Sequence, residues 1–209
     1  MKPSTLSRFI QGPAGKLQIA IDEPQNGQDP IGVVVICHPH PLYGGTMENK
    51  VIQSISRACT RKGWQCVRFN YRGVEQSEGA WDEGRGETDD AIAVIEALHL
   101  PDKPLALAGF SFGGFVAANL LQQYPTSVTN PKPIEHILLV APAVINFPLP
   151  PVPDHTLVIH GETDDVVPLS GTLDWARNRN LPVMVVPGVG HFFHGQLALL
   201  QYIITRFWI

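Results

Sequence analysis

Residues 105–114 read Leu-Ala-Leu-Ala-Gly-Phe-Ser-Phe-Gly-Gly. The first four form a short apolar run and a helical stretch follows the last glycine, so the segment predicts a strand, a very tight turn and a helix. Gly109 and Gly113 flank Ser111 in a G-x-S-x-G pattern. In so tight a turn, a Cβ at either glycine would collide with the neighbouring strand or helix. The serine backbone is then forced into a strained conformation that lifts its hydroxyl above the sheet. Ser111 also falls at a helix N-terminus, where backbone N–H groups and the helix dipole favour a developing negative charge.

Outward from this turn, short apolar runs alternate with helical patterns. Ile31–Ile36 is a β-branched run without polar alternation, as expected of a strand buried on both faces. Gln65–Phe69, Leu105–Ala108, Ile137–Val140, Thr156–Ile159 and Val183–Val186 repeat the theme. Between them lie helical stripes: Met47, Val51, Ile55, Ala58 and Lys62; then Ala91, Ile95 and Leu98, preceded by Thr88 and acidic residues; then 114–123, 170–178 and 197–207. Ser7–Ile10 and Lys16–Ile21 flank Gly12-Pro13-Ala14-Gly15 and predict an opening hairpin. This alternation marks a mostly parallel central sheet with helices on both faces. No linker interrupts it, so residues 1–209 are expected to form one domain.

Composition narrows the class. With 209 residues, 44% hydrophobic, 16% charged and a net charge of −4, the chain should build one sizeable core. The acidic balance and the absence of any basic cluster longer than Arg61-Lys62 argue against nucleic acid or an anionic membrane as partner. No apolar run reaches the roughly 18 residues of a membrane span. Cys37, Cys59 and Cys66 are odd in number and lack metal-ligand spacing, which suits a reducing compartment. The expected setting is the cytoplasm.

A serine hydroxyl needs a base to become a nucleophile. Gly188-Val189-Gly190-His191 places a histidine in a glycine-flanked loop after the last strand run, and His191 is preferred over His194, which is expected to begin the final helix. The base needs an orienting carboxylate. In 160–168, His-Gly-Glu-Thr-Asp-Asp-Val-Val-Pro, Asp164 is preferred and Asp165 is read as the residue capping the turn.

These residues, in the chain order Ser111, Asp164, His191, resemble an α/β-hydrolase. More narrowly, the chain resembles the small bacterial hydrolases with an H-P-H-P-x-x-G-G-T-M segment, here His38 to Met47. Asn49-Lys50-Val51 and Phe69-Asn70-Tyr71-Arg72-Gly73-Val74 with Ser77 and Gly79 extend the match, which runs from Ile31 onward. The resemblance implies a catalytic triad and an oxyanion hole built from two backbone N–H groups. One belongs to the residue after the nucleophile, Phe112. The other comes from the loop after the first central strand, where Pro39 and Pro41 have no N–H and the matching position is His40, ahead of Leu42. It implies hydrolysis of an acyl bond in a small-molecule substrate by water, foremost a carboxylic ester, without metal or organic cofactor. A thioesterase, a peptidase or a perhydrolase could use the same groups, and a non-catalytic binding module could keep the fold.

Three further expectations concern the surroundings. The stretch holding His38, His40, His191 and His194 lacks a third, carboxylate or cysteine, ligand at metal-site spacing, and His38 is read as a buried, hydrogen-bonded loop residue. Arg72 is expected to pair with a carboxylate in 75–90, whose acids, with Trp81, could rim the pocket and disfavour anionic substrates. Caps in the resembled fold enter between the strands ending near Ala141 and starting at Thr156. That gap holds only 14 residues (156 − 141 − 1), several of them proline, so an open site without a helical lid is expected.

Overall fold

The computed structural model describes residues 4–25, 27–129 and 131–208. The chain opens with β1 (Thr5–Gly12) and β2 (Gly15–Asp22), continues through β3 (Val33–Cys37), α1 (Lys50–Arg61), β4 (Gln65–Phe69) and α2 (Arg85–Leu98), and reaches β5 (Leu105–Phe110) and α3 (Phe112–Ser127). It ends with β6 (Ile134–Val140), β7 (Leu157–Gly161), α4 (Leu169–Arg177), β8 (Val183–Val186) and α5 (Leu197–Phe207). The strands form one sheet in the order β1-β2-β4-β3-β5-β6-β7-β8. The opening hairpin is antiparallel and joins β4 antiparallel, while β4 through β8 are parallel. No helix among the described residues is long and apolar enough to cross a membrane.

Burial explains the unbroken apolar strands. Along β3, Val33, Val35 and Cys37 join the core beneath α2, α3 and α4, and Val34 and Ile36 join the core beneath α1 and α5. Neither face meets water, so neither can be polar. The expected strand over Ile31–Ile36 begins two residues late because Gly32 lies against the Trp64 ring and Ile31 is left exposed. Helix α1 likewise starts at Lys50, capped by the Asn49 side chain accepting from Val51 N–H at 2.8 Å, so Met47 is a buried residue before the helix. Helix α2 begins six residues ahead of Ala91, because Glu87 reaches back to the Gly84 N–H at 2.7 Å and closes the first turn.

Between Ala141 and Thr156 there is no helix, so no cap domain sits on the sheet. The proline-rich segment is pinned instead: Leu149 is buried and its carbonyl accepts from Trp175 Nε1 at 3.4 Å.

The chain passes from β3 outward to β4 and then back across to β5, so the strand order reverses between β3 and β5. The crevice beyond the carboxyl ends of those two strands is where ligands bind in open α/β sheets. Two backbone features build it. A Cβ on Gly109 would lie 2.2 Å from the Gly113 carbonyl oxygen, and one on Gly113 would lie 2.1 Å from that of Cys37. The helix therefore starts in direct backbone contact with β3 and β5, and Ser111 between the glycines is held at φ +55°, ψ −119°. On the other side of the crevice, His38 locks the loop after β3. Its Nδ1–H donates to the Pro39 carbonyl at 2.7 Å, its Nε2 accepts the Tyr71 N–H at 3.3 Å, and Tyr71 Oη donates to the His38 carbonyl at 3.2 Å. Burial holds this imidazole down at about 3, even though the Pro39 bond pulls the other way.

Two outcomes follow. Glycine tolerates the backbone of residue 111 and alanine does not, so Ser111→Gly should be more stable to urea than Ser111→Ala by about 1–2 kcal/mol, the relieved strain less glycine's extra chain entropy. His38 binds its proton less readily folded than unfolded, so its contribution to stability is complete above its ordinary value of 6.5 and fades as pH falls toward about 3. Within that window unfolding free energy should drop with falling pH, and His38→Gln should flatten the slope by about 1.4 kcal/mol per pH unit, read from urea melts at successive pH values.

Candidate active site

Ser111, Asp164 and His191 follow the carboxyl ends of β5, β7 and β8, on one rim of the sheet. Ser111 is fixed through its main chain: its N–H donates to Val140 O at 3.0 Å, and its carbonyl accepts from Gly114 N–H at 2.9 Å and Ala143 N–H at 3.2 Å. A strand and a loop thus hold the strained residue from both sides. Its side chain stands in the wall of a cleft of about 520 Å³ that is also lined by His40, Tyr43, Phe112, Phe147 and Val166.

Asp164 is buried in the loop after β7. Its Oδ1 accepts from Val166 N–H at 2.9 Å and Val167 N–H at 2.7 Å, so this residue closes its own turn, the task expected of Asp165, which is exposed. Its Oδ2 lies 2.7 Å from Nδ1 of His191. Burial pushes the Asp164 carboxyl up, but the donors from His160, His191 and the Val167 N–H outweigh it and hold the group well below the usual carboxylate range. It is therefore an anion whenever the protein is folded near neutrality.

His191 is buried, its ring 4.9 Å from those of Phe110 and Phe192. Phe110 immediately precedes Ser111, which places the imidazole beside the turn. No hydrogen bond joins the Ser111 hydroxyl to His191 among the described residues. Such bonds are often long in free enzymes and tighten around the substrate. His194 is exposed in the turn ahead of α5 and does not begin that helix.

At the tip of α3, Phe112 contributes a first-turn N–H with no helical acceptor. The loop after β3 turns through a short 3₁₀ segment, Pro41–Tyr43, capped by His40. The Leu42 N–H donates to His40 Nδ1 at 3.2 Å, and the Tyr43 and Gly45 N–H groups donate to the His40 carbonyl at 3.1 and 3.0 Å. Leu42 is thereby occupied. Among the described residues, the N–H groups of His40 and Phe112 have no partner, and the two side-chain rings lie 4.9 Å apart.

The His40 side chain is engaged as well as its main chain. Its ring lines the cleft and lies 4.7 Å from Tyr43, 4.6 Å from Trp81 and 5.9 Å from Phe147. Burial lowers its pKa, which keeps the ring neutral. Trp81 backs this ring, but the acids around it are engaged elsewhere. Glu87 caps α2, and Asp90 takes Arg72 in a two-pronged pair at 2.8 Å, the partner expected for that arginine. None of the acids of 75–90 lines the cleft, so they do not form its rim.

His160 is the residue that sequence reasoning passed over. It opens the 160–168 segment after the strand run Thr156–Ile159, yet it lies within β7, fully buried, with Nε2 3.3 Å from Asp164 Oδ2. The signal available was its place four residues ahead of the loop aspartate. For metals, both ring nitrogens of His38 are engaged, and no group of three or more His, Cys, Asp or Glu that could hold an ion gathers among the described residues.

Residues 32–155 match the family described as the alpha/beta hydrolase fold. A member of the α/β serine hydrolases without a lid, from Xanthomonas campestris, superposes with a TM-score of 0.86 at 31% identity, covering 97% of this chain and 93% of that one. An alpha-beta serine hydrolase homologue from Coxiella burnetii also gives 0.86, at 36% identity and 96% coverage of both chains. An uncharacterized protein of Rickettsia prowazekii is 29% identical over 220 residues, 94% of this chain and 88% of that protein. With the sheet order, the glycine-flanked serine turn and these likenesses together, the chain belongs to the α/β-hydrolase family.

Proposed function

We propose that this protein is a serine hydrolase that cleaves an acyl bond, foremost a carboxylic ester with an uncharged acyl group. The observation that carries the reading is the state of Ser111: a non-glycine residue held at φ +55° at the tip of α3, in the wall of a cleft at the crevice between β3 and β5. Strain of this kind persists only where the surrounding structure imposes it, and it gathers at reactive groups.

In the proposed reaction, Ser111 Oγ attacks the carbonyl carbon and its proton passes to Nε2 of His191. Nδ1 of that ring is committed to Asp164 at 2.7 Å, which leaves Nε2 as the basic atom and gives the resulting imidazolium an anion to face. The carbonyl oxygen becomes an oxyanion between the N–H groups of Phe112 and His40. Donors of this type contribute about 10²–10³ in rate each. Collapse expels the alcohol, which takes the proton from His191. Water then gives a proton to the same nitrogen and attacks the acyl carbon, and as the bond to Ser111 Oγ breaks that oxygen takes the proton back from His191 and the acid is released.

The cleft supports the substrate class. Its lining side chains include aromatic rings, valines and the neutral His40, with no carboxylate, lysine or arginine to pair with an ionic acyl group. Phe147 comes from the proline-rich segment, so that segment serves as a wall of the site.

A fluorophosphonate probe should label the folded protein on Ser111 and nowhere in Ser111→Ala. On a panel of aryl esters, acyl thioesters and aminoacyl amides, hydrolysis should be fastest for uncharged esters. Ser111→Ala and Asp164→Asn should each lose about 10³-fold or more in kcat. A folded, unlabelled wild-type protein inactive on the whole panel would instead point to a binding module on the hydrolase fold.

A further inference from the structure

The imidazole of His160 is completely buried on β7 and plays no part in the proton transfers above. Its two nitrogens have different surroundings. Nε2 faces the Val167 carbonyl at 2.8 Å and Asp164 Oδ2 at 3.3 Å. Both are acceptors, so Nε2 carries the proton. Nδ1 is buried with no hydrogen-bond partner among the described residues. A second proton there would be an unsatisfied buried charge, so the ring is the neutral Nε2–H tautomer.

This single N–H reaches Asp164 by two routes. It donates to the carbonyl of Val167, whose own N–H donates to Asp164 Oδ1 at 2.7 Å, so it fixes the turn that grips one carboxylate oxygen. Its positive edge also faces Oδ2, the oxygen that His191 Nδ1 approaches to 2.7 Å. The two oxygens turn together about one bond, Cβ–Cγ, so the amides at Oδ1 and the His160 N–H edge at Oδ2 restrain the same torsion from opposite ends. That torsion sets the direction in which Oδ2 meets His191 Nδ1.

We propose that His160 is a positioning residue of the hydrolytic site: its Nε2–H holds the Asp164 carboxylate in the orientation that aims His191. The proposal rests on the triad reading given above. It is tested with His160→Gln, whose amide N–H can occupy the Nε2 position, and His160→Asn, whose shorter amide cannot. Two readings are taken on each: kcat and KM for the best ester, and the lowest-field proton signal in the NMR spectrum, assigned to the His191–Asp164 bond by its loss in Asp164→Asn. His160→Asn should lower kcat about tenfold or more with KM within about twofold, and should shift or broaden the signal, whereas His160→Gln should recover most of both. If His160→Asn does not fold, His160→Leu, of closer size, takes its place with the same expected readings.

A folded Asn or Leu variant with wild-type kcat and an unmoved signal overturns the proposal. So does lost kcat with an unmoved signal, because the damage then comes through packing, and so does a Gln variant as impaired as the Asn one. If the wild-type protein hydrolyses nothing, the hydrolase reading falls and the proton signal alone decides the role of His160.

Discussion

The first turn of α3 touches the backbones of β3 and β5 with no side chain between them. Gly109 and Gly113 make this possible, since a Cβ on either would come within 2.2 Å of a carbonyl oxygen. The rest of the site depends on that contact. It bends the chain at Ser111 into a conformation costing on the order of 1–3 kcal/mol. Three main-chain hydrogen bonds, one donated to the Val140 carbonyl and two accepted from the Gly114 and Ala143 N–H groups, hold the residue there. It also leaves the Phe112 N–H pointing out of the helix end beside the loop that carries His40. In the proposed reaction, nucleophile position and oxyanion donors are thus two results of one backbone approach.

Several buried polar groups gather at the same rim. Asp164 with His191 and His160, Arg72 with Asp90, and His38 with Tyr71 all sit at or just beyond the carboxyl ends of the parallel strands. Each buried charge or imidazole meets a partner of fitting polarity, which is the condition for keeping such groups out of water. These pairs also tie loops to elements far away in the chain: Arg72, after β4, is bound to α2, and the turn after β7 is bound to the loop after β8. A rim built from many separate loops becomes stiff in this way, without a dedicated domain over it.

Much of this was legible in the sequence where the cause is local. The β-branched run at Val33–Ile36 announces burial on both faces, the glycines around Ser111 announce a turn too tight for Cβ atoms, and prolines between Ala141 and Thr156 exclude a helical lid. Asp164 and His191 stand out by their places in loops after strand runs, in H-G-x-x-D-x-x-V-P and G-x-G-H, and the two side chains meet at 2.7 Å. What stayed hidden is which short-range contacts the side chains make. Asn49 caps α1 at the Val51 N–H, so the helix starts after Met47, and Glu87 turns back to the Gly84 N–H and takes its carboxylate away from the cleft. His160 opens the segment that carries Asp164, and its meaning comes from the turn four residues on. The pattern shows which residue types stand near the rim, and tertiary packing decides which of them face each other.

The proline-rich segment between β6 and β7 has one more consequence. With Leu149 sunk in the core and Phe147 forming part of the cleft wall, the segment is anchored against the body of the protein. Enzymes with mobile covers often wait on opening or closing, and those motions take microseconds to milliseconds. With no cap domain over the cleft, no cover would squeeze solvent away from the reacting bond in the proposed reaction. The bound molecule must itself displace that solvent, so the speed of the chemistry should track how much of the cleft its acyl group fills.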